Sequence, residues 1–335
     1  MTRLVLALLA VLAAAGPAMA DPVGKDPVAD TPRFTFIPIP LPFLAVGAMG
    51  TVENLAIGPT RNDFQFLGGY FWSRNFLYDP ASAVPRPPTG VGAEQVTTND
   101  WRVVTEWDVH LCKGLTLGPA LLVHGGGALA TGTFDPDLAG GFSAQAGPAL
   151  RWRALDETAF PTQGTAADLV YSYGRYFGTA TTDFQKGGLN AIHYLRLAPN
   201  QTLAVRGTLQ AGGPRLAWLD KFEAGGGDFV RGYQWNRFTG DRLAAASLEY
   251  RNLFIADLAA PLGLKLPIVP GLAFTAHVDA GRAWDAAVGL PVGSDPRFGG
   301  GIGLVGTLDR APLGRLELNV SPEGIFPVVE LSTSY

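Results

Sequence analysis

The chain of 335 residues has one cysteine, four histidines and few charges, with Asp, Glu, Lys and Arg making up only 16%. A single cysteine, Cys112, excludes an internal disulfide, and a lone thiol in an oxidising compartment reads as inert. His110, His124, His193 and His277 are scattered and show none of the short spacings of metal ligands, so no metal is expected. Positive charge is not in excess, since 25 basic residues face 29 acidic ones. No basic run resembles a nucleic-acid patch. Glycine runs at 125–127, 225–227 and 299–301 lack a following Gly-Lys-Ser/Thr, which excludes a phosphate loop. A G-x-S-x-G nucleophile elbow is also missing. No catalytic residue and no cofactor are therefore expected, and the chain reads as a non-enzyme.

Long apolar runs are absent after the first twenty residues, so no membrane-spanning helix is expected. Those twenty carry Arg3, an apolar stretch over 4–15 and Ala18-Met19-Ala20, the pattern of a secretory signal peptide cleaved after Ala20. Losing Arg3 makes the mature chain one unit more negative than the full chain's −4. Residues 21–33 form a short polar lead, and 34–335 the folded domain. Mean hydropathy is nevertheless +0.16, and glycine is abundant at 43 residues. An exported chain this apolar must wet or bury its apolar surface without a spanning helix.

What is present is period-two alternation. Over 101–112, Trp101, Val103, Trp107, Val109 and Leu111 fall on one face, and Arg102, Glu106, Asp108 and His110 on the other. Leu316, Leu318 and Val320 likewise oppose Arg315, Glu317 and Asn319. Such alternation predicts strands with one apolar and one polar face. Thirteen segments can be drawn, at 44–52, 63–73, 101–112, 115–124, 143–153, 167–176, 187–197, 202–210, 243–251, 274–279, 298–307, 315–320 and 328–335.

Two all-β architectures accommodate such strands. A soluble sandwich turns its apolar faces inward; a transmembrane antiparallel β-barrel turns them to lipid and lines its lumen with the polar faces. Trp72, Trp101, Trp107, Tyr171, Tyr173 and Trp284 gather near segment ends or on apolar faces, as interfacial girdles require, which favours the barrel. Bacterial barrels have even strand numbers, so 12 to 16 strands are expected. The miscounted one should lie between Phe34 and Gly141.

The stretch GGGDFVRGYQWNRFTG at 225–240 places an always-charged arginine just after three glycines, at the tip of a loop. A guanidinium held there needs a carboxylate. Asp279 shares a face with Thr275 and His277, and Glu249 with Ser247 and Arg251, each opposite an apolar set.

Several landmarks occur in a familiar order: Ala149-Leu150-Arg151-Trp152 with Asp156, Pro161 and Gly164; Val230-Arg231-Gly232-Tyr233; Leu248-Glu249-Tyr250-Arg251; His277-Val278-Asp279-Ala280-Gly281; and the glycine-rich 299–304. Together they resemble the bacterial surface antigen family, the barrel of BamA-type and TamA-type outer-membrane assembly proteins and of two-partner secretion transporters. The resemblance is good over 140–335 and loose over 34–130. It implies that the Val230–Tyr233 loop folds into the lumen, where Arg231 meets Asp279 first and Glu249 second. It also implies that Val329, Leu331 and the terminal aromatic Tyr335 act as an insertion signal read by the barrel assembly machinery. Relatives carry periplasmic POTRA domains ahead of the barrel, and 21–33 is too short for one. The implied function is an accessory role in outer-membrane protein assembly or polypeptide translocation. Its partners would be outer-membrane lipid, unfolded outer-membrane proteins or a separate periplasmic protein, and no nucleic acid. The alternatives are a passive or gated pore for small solutes and, third, a barrel-embedded hydrolase using Asp108 and His110.

Overall fold

A computed structural model describes residues 33–41, 45–57, 59–77, 94–128, 141–156, 160–178, 181–213, 216–217, 220–226, 229–233, 237–257, 270–286, 296–308 and 311–330. The expected signal peptide, Leu331 and Tyr335 lie outside the described residues. Sixteen strands follow in chain order: β1 (Arg33–Leu41), β2 (Ala45–Ile57), β3 (Thr60–Leu77), β4 (Glu94–Cys112), β5 (Leu115–Ala128), β6 (Gly141–Leu155), β7 (Gly164–Phe177), β8 (Thr182–Ala198), β9 (Gln201–Gly212), β10 (Phe222–Ala224), β11 (Phe238–Gly240), β12 (Arg242–Ile255), β13 (Pro270–Trp284), β14 (Arg297–Leu308), β15 (Ala311–Ser321) and β16 (Gly324–Glu330). Fourteen form one antiparallel sheet in sequence order, with β12 beside β9, while β10 and β11 make a separate two-stranded hairpin.

The two faces of this sheet are inverted relative to a water-soluble protein. On β13, Thr275, His277 and Asp279 are buried, whereas Val278 between the last two is 59% exposed. On β15, Glu317 and Asn319 are buried and Leu316, Leu318 and Val320 exposed. Trp101, Trp107, Leu111, Leu169, Tyr171, Tyr173 and Ile302 extend the apolar outer face around the sheet. Exposed apolar side chains of this number would be costly in water, at about 25 cal/mol per Å², but are favourable against lipid. The sheet is therefore a transmembrane β-barrel, apolar outside and polar within.

At one end β2–β3, β4–β5, β8–β9 and β14–β15 are joined by two-residue turns. Four long connections, 78–93, 129–140, 213–241 and 285–296, lie at the other end, and one, 256–269, lies at the same end as these turns. Barrels of this type keep short turns on the periplasmic side and long loops outside.

The periplasmic turn after β6 shows why its residues are needed. Asp156 accepts hydrogen bonds from the backbone N–H of Thr162 and Gln163 at 3.0 Å each, and from the Thr162 hydroxyl and Arg196. Gly164 has φ +117°, and a Cβ there would lie 2.0 Å from the Ala154 carbonyl oxygen. Burial raises the Asp156 pKa, but these donors outweigh it and hold the carboxyl down at about 2. Phe160 packs with Leu253, Ala273 and Val305 as a small apolar cluster on the inner side of this end.

Of the fourteen described strands in the large sheet, the alternation pattern misses β1. Its Pro38 and Pro40 argue against a strand on propensity, yet it pairs with β2 along its whole length. Among the described residues it is an edge strand, where proline is tolerated because one row of N–H groups has no ladder to join. The last strand begins at Gly324, earlier than the expected 328, and the expected stretch 331–335 lies outside the described residues.

Candidate functional site

The long connection between β9 and β12 returns to the buried polar face of the sheet, and its described part is built around four residues with positive φ. Gly225, Gly226 and Gly232 have φ of +112°, +85° and +97°, and Val230 has φ +56°. Glycine adopts these values freely, but a β-branched residue there is strained, by about 1–3 kcal/mol. Val230 is held by packing. It is buried in a cluster with Ala224, Tyr233, Leu243 and Ala283.

The Val230 turn aims Arg231 at the wall. Its Nε and Nη2 donate to Asp279 Oδ2 and Oδ1 at 2.8 and 3.0 Å, a bidentate pair, and its backbone N–H donates to Oδ2 at 3.0 Å. Nη1 donates to Glu249 Oε2 at 2.8 Å and to Glu317 Oε1 at 3.3 Å, and Nη2 also to Ser247 Oγ at 3.1 Å. One guanidinium thus joins β12, β13 and β15. Asp279 is 2% exposed and Arg231 4%, so these charge-assisted bonds are shielded from water. Arg251 supports the cluster from below, donating to Glu249 Oε1 at 2.6 Å, with its guanidinium over the Tyr194 ring at 5.3 Å.

Glycine in β14 makes room for this arrangement. A Cβ on Gly299 would lie 1.8 Å from the Arg231 carbonyl oxygen, and one on Gly303 would lie 2.8 Å from Glu317 Cγ and 2.9 Å from Thr275 Oγ1. With no side chains on the inner face of β14 at these positions, groups on β13 and β15 reach one another and the loop across it. Tyr233 completes the contact by donating its hydroxyl to the Phe298 carbonyl at 3.1 Å.

The loop has further anchors. Asp220, fully buried, accepts from Ser143 Oγ at 3.1 Å, pairs with His124 Nε2 at 3.0 Å and lies 3.8 Å from Lys186 Nζ. Those partners belong to β6, β5 and β8, far around the sheet from β13 and β15. Arg237 pairs with Glu323 in the β15–β16 turn at 2.8 Å, and Lys221 with Asp285 beyond β13 at 3.0 Å. The connection is thus fastened to both sides of the barrel wall.

The structure brings together Arg231, Asp279 and Glu249, the three residues singled out from the sequence, and adds Glu317 and Ser247. The alternation of Arg315, Glu317 and Asn319 put Glu317 on the polar face. Its distance from Arg231 depended on the β13–β14–β15 register, in which Glu317 faces Gly303 and Gly303 faces Thr275. Asp220 had no signal, being an isolated acid in a glycine-rich connection. Asp108 and His110 are partnered separately, Asp108 with Arg151 and His110 with Asp63 at 2.7 Å. Val329 lies on the outer face, highly exposed.

The fold and this loop define the class: an outer-membrane β-barrel whose interior takes up one of its own long connections. Residues 140–322 match the Omp85 superfamily domain, and the chain belongs to that superfamily. Among solved structures it is similar to BamA from Haemophilus ducreyi lacking POTRA domains 1–3, with 15% identity and a TM-score of 0.54 over 87% of this chain. It is also similar to CdiB from Escherichia coli, with 13% identity and a TM-score of 0.49 over 86%. The chain spans 61% of the length of that BamA chain and 51% of that CdiB chain. No curated protein matches the sequence. The superfamily and the inverted faces together place the chain in the bacterial outer membrane.

Proposed function

We propose that this barrel serves outer-membrane protein assembly or polypeptide translocation in an accessory role, with the Arg231 loop as its working element. The observation that carries this reading is the loop's attachment. A six-bond arginine contact and a fully buried Asp220 contact hold a strained segment against opposite sides of the wall. A loop held by these polar contacts and one small apolar cluster can be released without unfolding the barrel.

The edge strands support the same reading. Among the described residues β1 is paired with β2 and β16 with β15. Pro38 and Pro40, two apart, withdraw two N–H donors from the same edge of β1. A seam between β1 and β16 would then be the weakest line of the barrel, where an incoming strand could pair. Partners would be outer-membrane lipid, unfolded outer-membrane proteins and a periplasmic protein that delivers them, and the chain would carry out no catalysis.

Deleting the gene and complementing with wild type or Arg231→Ala tests this. Loss of specific barrel proteins from the outer membrane, restored by wild type and not by the variant at equal expression, is the expected result. An unchanged outer-membrane protein profile on deletion would contradict the reading and leave solute permeation as the function to measure.

A further inference from the structure

In the Arg231 cluster, His277 is left with both of its ring nitrogens unsatisfied. Its side chain is fully buried, and neither ring nitrogen has a hydrogen-bond partner. Buried imidazoles are normally hydrogen-bonded, so this arrangement calls for a cause. Its Nδ1 lies 4.0 Å from Glu317 Oε1 and its Nε2 3.9 Å from Asp279 Oδ2, too far for hydrogen bonds. One donor atom from each of Glu249, His277 and Glu317 falls within 4.8 Å of the others.

Between the two carboxylates is Arg231 Nη1, 2.8 Å from Glu249 Oε2 and 3.3 Å from Glu317 Oε1. The guanidinium holds the place a cation would take. If it withdraws, those two oxygens lose their shared partner while the rest of the cluster stays in place. Glu249 Oε1 keeps Arg251 at 2.6 Å, and Glu317 Oε2 keeps Asn319 Nδ2 at 3.4 Å. Two carboxylate oxygens and an imidazole nitrogen then face one point.

We propose that Glu249, His277 and Glu317 form a divalent-cation site that Arg231 covers, so that metal binding and loop docking exclude each other. Ligands around one ion at about 2.0–2.2 Å lie about 3–4 Å apart, so a small rotation of either glutamate closes the site. A nitrogen ligand among carboxylates selects zinc or a similar borderline ion over magnesium or calcium, which take oxygen ligands. Arg251 and Arg315, the latter 3.7 Å from Glu317 Oε1, temper the negative charge and keep the covered site weak. This inference stands whether or not the barrel handles polypeptide, because it concerns only which cation occupies the cluster.

Zinc titration of the purified, folded barrel in detergent tests it, comparing wild type, Arg231→Ala and the double variant Arg231→Ala/His277→Gln. Removing the arginine is expected to give one zinc site per chain at least about tenfold tighter than wild type. That ratio follows if docking leaves under a tenth of wild-type molecules open. The double variant should lose the gain. A folded Arg231→Ala protein that binds zinc no better than wild type, or a double variant that binds equally well, overturns the proposal. Should Arg231→Ala not fold, wild type and His277→Gln decide. Zinc should speed tryptic cleavage of the loop in wild type only, and no zinc effect, or the same effect in both, overturns it.

Discussion

Asp279→Ala is the most informative single change, because it removes the largest share of what holds the loop. The substitution deletes both Arg231 side-chain bonds of the bidentate pair and the bond to its backbone N–H, all at 2.8–3.0 Å. Breaking a buried ion pair by truncating one partner costs about 3–5 kcal/mol, since the other charge is left buried. Glu249 and Glu317 still face the guanidinium, so the lower end, about 3 kcal/mol, applies. Each 1.4 kcal/mol is about a factor of ten, so the docked-to-released ratio should fall by about a hundredfold. The strain at Val230, about 1–3 kcal/mol, favours release in wild type and variant alike, so it leaves this ratio unchanged. Trypsin reports it directly, because Lys221, Arg231 and Arg237 lie in this connection and cleavage follows the open population when reclosing is fast. Asp279→Asn should cost less, as it keeps the shape and exchanges charge-assisted bonds for neutral ones of about half the strength. Arg231→Ala/Asp279→Ala should be less sensitive than the sum of the two single changes. Unchanged loop cleavage in Asp279→Ala, in a barrel that keeps its folded electrophoretic mobility, would refute the reasoning.

Three other perturbations probe different parts of the molecule. Gly299→Ala leaves every charge in place but sets a methyl group 1.8 Å from the Arg231 carbonyl oxygen, so loop cleavage should rise as in Asp279→Ala; wild-type resistance would show that β14 is not the loop's seat. Val278→Arg, on the outer face, should destabilise the barrel in liposomes by about 2–4 kcal/mol if it sits near the bilayer midplane, read from urea unfolding; no loss of stability would argue that this face does not meet lipid. Asp156 has a folded pKa of about 2 against an ordinary 3.8, so its contribution is present above pH 4 and disappears as pH falls from about 4 to about 2. The thermal stabilities of wild type and Asp156→Asn should therefore differ at pH 6 and converge near pH 2, whereas a gap unchanged down to pH 2 would show that the depressed pKa is not its source.

The fold was legible where one residue decides the side of a strand. Alternation alone put Glu249 and Asp279 on the polar face and Leu248 and Val278 on the other, and the aromatics turned that alternation into a barrel rather than a sandwich. It failed at β1, where Pro38 and Pro40 suppress the propensity signal while an edge position makes them harmless. The site was partly legible because Arg231 follows glycines that only a tight loop requires. Glu317 and His277 could be assigned a face but not neighbours, since the glycines at 301 and 303 that bring them together look from the sequence like a weak strand. Asp220 was illegible, as its partners His124, Ser143 and Lys186 lie 34 to 96 residues away in the chain.

The central claim is that the Arg231 segment is docked on the barrel wall. Hydrogen exchange of the protein in lipid nanodiscs tests it most directly, because the Arg231 N–H donates to buried Asp279 at 3.0 Å. Protection over 229–233 comparable to that of β12 and β13, lost in Asp279→Ala while both strands stay protected, is the predicted result. Exchange of 229–233 in the wild-type barrel at the rate of an unstructured peptide would contradict the account.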